Sequence, residues 1–496
     1  LERTKKQVLA FDFGASSGRA IIGKLKNDKI VMKEIHRFSN DPVIVNGTMY
    51  WDTLRQFYEI KQGMLKAKQH GGFYSLGIDT WGVDFGLLDE HGVLLENAVH
   101  YRDGRTEGIQ EKAFKCINKE KMYEITGNQL MDLNTVFQLY SLVLNRPWLL
   151  ERADTLLLTP DLFNYFLTGK KAAEYTMAST TQIMDAREGK WSDDIIKALR
   201  IPERLFPEIV FGGTTIGEVT PQICEELGIV PAKVIAVASH DTGSAVVAVP
   251  TQEEDFIFIS CGTWSLFGTE LPRPSIDEKS SLFNMTNEGG YGQKTTFLKN
   301  IIGLWLVQES RRQWRREGKD YSYGELESMA INVMPLQSFF DPDAPEFLPS
   351  GNIPERIRTF CHNTGQAVPQ TMGEVICCIN QSLAMKYRYT LEQIETCLSK
   401  KYDKIHMIGG GIQSRLLCQM TANASGCIVQ AGPIEATALG NIAVQLIAAG
   451  EMKDPKEARR IIQKSEQSYE YQPQEREKWQ EAYEKFKQIL KEEAKW

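Results

Sequence analysis

The sequence predicts an α/β protein of two similar domains, each a mixed sheet with helices on its faces. Three observations carry this reading. The first hundred residues alternate as strand, strand, strand, helix, strand, strand; a matching strand–glycine–return-strand unit opens the second half about 250 residues later; and glycine-rich turns sit where strands end. The chain has 496 residues, enough for several domains at roughly 150 residues each. Hydrophobic residues are 42% and charged residues 24%, which argues against disorder and against a fibre. With 57 Lys and Arg against 64 Asp and Glu, the net charge is −7. No global field then favours nucleic acid or an anionic membrane, so an anionic ligand must be held by local groups.

Taken in order, Val8–Phe13 is apolar and stops at Gly14, Arg19–Leu25 resumes an extended pattern, and Asn27-Asp28 turns the chain into Ile30–Phe38. From Leu54 the spacing becomes helical through Phe57, Tyr58, Met64 and Leu65, with Asp52 or Thr53 as cap. Tyr74–Asp79 and Val83–Leu88 read as strands, the second closed by the turn Asp89-Glu90-His91-Gly92. In the second half Phe256–Ser260 is a strand, Cys261-Gly262-Thr263-Trp264 a turn and Ser265–Glu270 the return. Thr242–Val249 is a short helix that Pro250 ends, which sets the domains at 1–249 and 250–496. Five prolines between Pro335 and Pro354 read as a surface loop inside the second domain, followed by a helix over about Met372–Lys400. Trp479, Tyr483, Phe486 and Leu490 form a helical stripe expected to pack on the body.

No apolar run approaches the ~20 residues of a membrane span, and LERTKKQVLAFDF lacks the apolar core and cleavage site of a secretory signal. Nine cysteines without a C-x-x-C pair read as reduced thiols in a reducing, cytoplasmic compartment, although Cys361 and Cys378 can pair in principle. Seven histidines with no H-E-x-x-H or Cys/His cluster make a zinc site unexpected.

Chemistry concentrates in three glycine-rich turns. In FDFGASSGR, Phe11 to Arg19, Gly14 and Gly18 let the backbone approach an anion while Ser16, Ser17 and successive N–H groups donate. Arg19 adds charge, and Asp12 is placed to hold Mg²⁺ through water. The same segment reads as an ordinary hairpin, or as the G-x-S-x-G of a serine hydrolase; the latter needs a helix after the serine, where this chain continues as strand. In ISCGTWSLFGTE, Gly262, Thr263 and Ser265 form a second cradle. In IHMIGGGIQSRLLCQMTANASG, Gly409-Gly410-Gly411 ends a strand before a helix from about Ser414, a surface for a flat ring. Neither the dinucleotide fingerprint nor a P-loop occurs. Two cradles and a platform point to a nucleotide held in a cleft between two lobes.

ASHDTGSAVVAVP puts His240, Asp241 and Thr242 at a helix start, where Asp241 is either an N-cap or a general base whose pKa the helix terminus lowers. GIDTWGVDFGLLDEHG offers Asp79, Trp81 and Asp84, carboxylates beside an indole that suit a sugar, with Trp81 otherwise core. In FLKNIIGLWLVQESRRQW, Asn300 ends a strand and Gln308 lies two turns into the next helix.

At these residues the sequence resembles the FGGY family of carbohydrate kinases along nearly its whole length. FDFGASSGR and SCGTWSLFGTE look like its two phosphate segments and GGGIQSRLLCQMTANASG like its adenosine segment; PDLFNYFLTGKKAAEYTMAS, DTWGVDFGLLD, HYRDGRT, ASHDTGSAV and FLKNIIGLWLVQ also match. The resemblance implies two ribonuclease H-like (actin-like ATPase) domains flanking a catalytic cleft. It implies Asp241 as the base that takes the C1 hydroxyl proton of open-chain L-rhamnulose, with L-fuculose or a pentulose as the alternative substrate. Implied sugar contacts are Gly82, His240, Asp241, Thr242 and Asn300, beside Trp81 and Asp84. Implied ATP contacts are Ala15, Ser16, Ser17, Gly18, Arg19, Thr263, Gln308 and Gly410, with Mg²⁺ near Asp12. The expected partners are a small ketose and ATP, with neither nucleic acid nor membrane, for a monomer or small homo-oligomer. The segment departs from the family in carrying Ala422-Asn423 where Ala-Asp is common. A non-catalytic, actin-like sugar sensor is the rival reading; intact Asp241 and both cradles argue against it.

Overall fold

Two hairpins, one near the start of each half, organise the chain. In the computed structural model, which describes residues 6–493, Val8–Phe13 is buried along its whole length. It pairs antiparallel with Ser17–Lys26 and parallel with Ser75–Thr80, so it is covered on both sides and reads as a nearly continuous apolar run. The sheet continues outward through Lys29–Ser39 on one flank and through Lys233–Ile235 and Thr215–Glu218 on the other. Helix Thr53–Gln69 starts where the Asp52 side chain accepts from Arg55 N, and it buries Ile60, Met64 and Ala67.

The second hairpin repeats the plan. Ile257–Cys261 pairs antiparallel with Trp264–Leu271 and parallel with Lys404–Ile408, which pairs parallel with Ile428–Ala431. Thr295–Ile302 flanks Trp264–Leu271 on the other side. In each half an antiparallel hairpin therefore donates its first strand to parallel pairing with a later one. Two α/β domains of the ribonuclease H-like, actin-like type result.

The chain forms two compact units. The first runs to Gln252 and takes in Glu270–Phe297 and Ala436–Glu466; the second holds Glu253–Thr269, Leu298–Glu435 and the chain from Gln467. The return of Ala436–Glu466 to the first unit is secured by polar groups inside its core. On the helix Ala436–Ala448, Gln445 donates to Leu9 O at 3.0 Å and accepts from Ser75 Oγ at 2.8 Å, while Asn441 donates to Gly77 O at 3.2 Å. Near the same helix's middle the backbone approaches the helix Asp241–Val247 so closely that a Cβ at Gly440 would lie 1.8 Å from Ser244 O.

Several expectations change. Val43–Val45 and Thr48–Tyr50 form a hairpin that the strand reading passed over, although Asn46-Gly47 at its tip is a strong turn signal. The proline-rich stretch is not a surface loop: Phe339, Phe340 and Phe347 are buried, and Asp341 and Asp343 pair with Lys386 of the helix Met372–Leu398. Proline there sets irregular backbone while the aromatic side chains go inward. In the C-terminal helix Arg476–Glu493, Trp479, Tyr483 and Phe486 are buried and Leu490 is half-buried. All nine cysteines are free thiols, Cys361 and Cys378 being in hydrogen-bond contact. Among the described residues no helix is long and apolar enough to cross a membrane.

The closeness at Gly440 gives a stability test. Gly440→Ala must push Ser244 and its helix away, at a cost of about 1–3 kcal/mol for overpacking. A lowered thermal midpoint is expected, whereas Gly450→Ala, where a Cβ meets no neighbour, carries only the cost of its positive φ.

Candidate active site

In the first unit three carboxyl groups gather at the carboxyl ends of adjacent strands. Asp12 and Asp79 are direct partners across the parallel pair Val8–Phe13 and Ser75–Thr80, so their side chains share one face. Asp241 follows the segment that runs beside Thr80, where Thr80 N donates to Ser239 O at 2.9 Å. Each carboxyl has a different partner. Asp12 is paired with Arg19, its opposite number on the return strand. Asp79 is fully buried; its Oδ2 accepts from Asn441 Nδ2 at 2.6 Å, while its Oδ1 has no hydrogen-bond partner. Burial, then the charge of Asp12, pushes its pKa well above the carboxylate range.

Asp241 is the most open of the three, its side chain 34% exposed. The N-cap alternative is not realised: His240 holds that position, and Asp241 is the first residue of the helix Asp241–Val247. Its Oδ1 accepts from Thr242 N at 2.6 Å and Thr242 Oγ1 at 3.3 Å, and lies 3.5 Å from His240 Nε2. The expectation that the helix terminus lowers its pKa is corrected. Burial dominates and raises it, against the opposing charge of His240. Seven residues of helix give a dipole too weak to offset that desolvation.

The loop leading to Asp241 hangs on a buried glutamate. Glu174 Oε2 accepts from Thr176 N at 2.9 Å, Met177 N at 3.2 Å, Ser239 N at 3.1 Å and the Thr176 hydroxyl. Thr176 Oγ1 in turn accepts from His240 N at 3.0 Å. Burial pushes the Glu174 pKa up to about 7 despite these donors. Sequence reading passed over Glu174 and Asn441, since neither sits in a turn motif and Asn441 lies 362 residues from Asp79.

The carboxylate expected to meet a sugar hydroxyl, Asp84, has no open face. Its Oδ2 accepts from Trp51 Nε1 at 2.6 Å, Trp81 Nε1 at 2.9 Å and Tyr101 N at 3.2 Å, and its Oδ1 from Gln138 Nε2 at 3.2 Å. Desolvation lifts its pKa to about 6. Trp81 is buried with it, its ring 4.1 Å from that of Trp51. Asp84 thus orders the segment around Gly82 from within. Beside half-buried Gly82, Val83 has φ +69°, a strained conformation for a β-branched residue. Val83 O and N are held by Thr135 Oγ1 at 2.6 Å and Thr180 Oγ1 at 3.2 Å.

The phosphate-type turn of the first unit is open at Ser16 and half-buried at Ala15, Ser17 and Arg19, with Gly18 buried against Phe38. Gly14 N donates to Ser17 O at 2.9 Å, and Asn40 Nδ2 donates to Gly14 O at 2.9 Å, which fixes its shape. Ser17 lies in the strand Ser17–Lys26, so the helix a serine-hydrolase elbow requires is absent there.

In the second unit, Gly303 N and Trp305 N donate to Thr263 O at 3.1 Å each, docking the hairpin turn on the helix Trp305–Arg316. Gln308 stands in the first turn of that helix, not two turns in, because Gly303 and Leu304 only begin the bend; Thr263 Oγ1 meets its Oε1 at 3.3 Å. Asn300 is half-buried, two residues before the end of Thr295–Ile302. At the glycine triplet, Cβ atoms on Gly409 or Gly411 would press on Cys261 at 2.9 or 2.6 Å, whereas one on Gly410 meets nothing within 4 Å. Gly410 therefore presents an open backbone face on a tightly packed base. Asn423 Oδ1 is taken by Gln419 Nε2 and Gln474 N at 2.8 and 2.9 Å.

Residues 7–248 match the FGGY family of carbohydrate kinases, N-terminal domain, and residues 257–449 its C-terminal domain. The rhamnulokinase of Oceanobacillus iheyensis is 44% identical over 464 residues, 93% of this chain and 97% of that protein. The rhamnulokinase of Bacteroides thetaiotaomicron is 41% identical over 489 residues, 98% of this chain and 100% of its own. The crystal structure of ligand-bound xylulose kinase from Lactobacillus acidophilus superposes with a TM-score of 0.80 at 17% identity, covering 99% of this chain and 98% of that one.

The Glu174 carboxyl should leave a signature in stability. Its pKa is raised on folding from 4.5 to about 7, so the folded state holds its proton longer. Its contribution falls as pH rises from about 4.5 and levels off above about 7, by at most roughly 3 kcal/mol. Unfolding of Glu174→Gln at pH 5 and at pH 8 should show a smaller difference than the wild type; an unchanged difference contradicts the assignment.

Proposed function

Because the chain belongs to the FGGY family of carbohydrate kinases, which are ATP-dependent sugar kinases, we propose that it phosphorylates the C1 hydroxyl of L-rhamnulose, giving L-rhamnulose 1-phosphate and ADP. The choice of sugar is supported by relatives named rhamnulokinase that align over 93% and 98% of this chain. The observation that carries the chemistry is Asp241, a carboxylate with a raised pKa and a partly open side chain held at a fixed angle by Thr242.

In this reading Asp241 accepts the C1 hydroxyl proton as that oxygen attacks the γ-phosphorus. The transition state is loose and the proton leaves late, so modest basicity suffices, and the raised pKa makes Asp241 a better base than an exposed aspartate. Gly82, His240, Thr242 and Asn300 contact the sugar. Trp81 and Asp84 act from beneath by setting the Gly82 segment, since Asp84 is closed to a ligand. Ala15, Ser16, Ser17, Gly18 and Arg19 offer donors to phosphate, as do Thr263 and Gln308, and the open face of Gly410 receives the base.

A kinase of this kind uses Mg²⁺, which neutralises phosphate charge. The residues fit an ion that arrives with ATP. Among the described residues no group of three or more His, Cys, Asp or Glu is arranged to hold a metal, and such Mg²⁺ sites take one or two carboxylates beside phosphates and water. Asp12 is the residue to hold it, with the unpartnered Asp79 Oδ1 on the adjacent strand. The free thiols fit a cytoplasmic setting.

ADP release with Mg-ATP across L-rhamnulose, L-fuculose, L-xylulose, L-ribulose, D-xylulose and glycerol tests the substrate. Preference for L-rhamnulose is expected; preference for another ketose retires that assignment, and no sugar-dependent ADP retires the activity. Asp241→Asn should lower turnover about 10²- to 10⁴-fold with sugar binding retained. Wild-type turnover should fall as pH drops through the raised Asp241 pKa, placing the acid limb above the ordinary aspartate value of 3.8. Gly410→Val should leave the thermal midpoint nearly unchanged while raising KM for ATP, because its side chain enters open space; an unchanged KM removes Gly410 from the nucleotide site.

A further inference from the structure

Behind Asp241 stands a buried carboxylate that the proposed chemistry leaves unused. Glu288, on the strand Thr286–Gly289, is 6% exposed, and its Oε2 lies 3.2 Å from His240 Nδ1. The other ring nitrogen, Nε2, lies 3.5 Å from Asp241 Oδ1. The imidazole is therefore flanked by a carboxylate oxygen at each nitrogen. A neutral ring has a single N–H and can serve only one of them; the imidazolium donates to both. His240 N donates to Thr176 Oγ1 at 3.0 Å, which fixes the backbone from which the ring projects.

We propose that Glu288 is a positioning residue, holding His240 as an imidazolium whose Nε2–H faces Asp241, so that the base stays ionised and oriented. This deepens the kinase reading and rests on Asp241 being the base. The surrounding charges act in the same sense. Glu174 adds a third negative charge facing His240, and Asp12 is the further carboxylate facing Asp241, while Asp79 feels Asp241 in turn. Burial works against a charged ring here, but Glu288, then Asp241 and Glu174, outweigh it and raise the His240 pKa to about 9. Without the cation, Asp12 and burial alone act to raise the Asp241 pKa. Glu288 thus sets the strength of the base without touching the sugar.

Imidazole titration by NMR on the full chain, with His240→Gln to assign its resonance among the seven histidines, reads this directly and needs no turnover. In the wild type His240 should stay protonated to about pH 9; in Glu288→Gln its midpoint should fall by at least one unit, the smallest shift expected for losing an opposite charge at this distance. In the pH profile of kcat/KM, the variant's acid limb should move to higher pH and its alkaline limb to lower pH. A wild-type His240 that titrates near the ordinary value of 6.5 overturns the proposal. So does a variant that loses activity equally at every pH with both limbs unmoved, the result a purely structural role would give. If Glu288→Gln does not fold, Glu288→Asp replaces it and the wild-type titration still decides. A chain with no sugar-dependent ADP release would sink the kinase reading and leave the NMR result standing, so the two failures are distinguishable.

Discussion

Like charges kept together out of water are the constraint on which the first unit depends. Asp12, Asp79 and Asp241 end neighbouring strands, and two of them share one face in direct register. Left alone, buried carboxyls at that spacing would take up protons or drive the strands apart. Each is instead answered by a group from elsewhere in the chain: Arg19 from the return strand, Asn441 from a helix near the C-terminus, His240 from the residue before. The answers differ in kind. Asp12 is paired with a guanidinium, Asp79 meets a neutral amide while burial raises its pKa, and at Asp241 the charge of His240 opposes the rise that burial gives. Three neighbouring carboxyls thereby have three different kinds of partner, and Asp241 has the most open side chain of them.

What was legible in the sequence follows from where the information lies. The two opening hairpins read well because Gly14, Gly262 and the apolar strands beside them are local signals, and the duplicated opening emerged from the same cues. The resemblance supplied the domain type, and the residues it implies for the site, Asp241, Gly410, Thr263 and Gln308, stand at half-buried or open positions. Asp84 misled because a carboxylate between two tryptophans looks the same in sequence whether it faces a sugar or accepts from two indoles. The proline-rich stretch misled because proline reports on backbone, while its phenylalanines decide burial. Asn441, Glu174 and Glu288 were out of reach: each acts across 48 to 362 residues of chain, with no spacing rule to announce it.

The second unit solves a different problem, which is how to bring backbone rather than charge to a surface. Gly409 and Gly411 lie against Cys261, where any side chain would collide, and Gly409 has φ +89°. Gly303 packs as closely on Ser265, and the turn carbonyls of Gly262 and Thr263 cap the helix that carries Gln308. Close packing on one side leaves Gly410 bare on the other. A flat ring laid there meets carbonyls and amides whose positions are already fixed, so little entropy is lost in ordering them.

The carboxyl cluster of the first unit bears on how strong a base the proposed phosphoryl acceptor needs. A helix terminus alone would lower the Asp241 pKa and leave a weak base; burial alone would raise it. Burial wins, and the opposing pull comes not from the helix but from the charge of His240, which Glu288, Asp241 and Glu174 favour. In the proposed mechanism the basicity of Asp241 is tuned from behind His240 by the buried Glu288 and Glu174. On that proposal two demands that would otherwise fall on one contact are separated: Thr242 fixes the direction of the Asp241 carboxylate, while the buried acids behind His240 act on its proton affinity. A late, loose proton transfer tolerates a modest base but not a misdirected one, and the shortest bonds around Asp241 are those that set its direction.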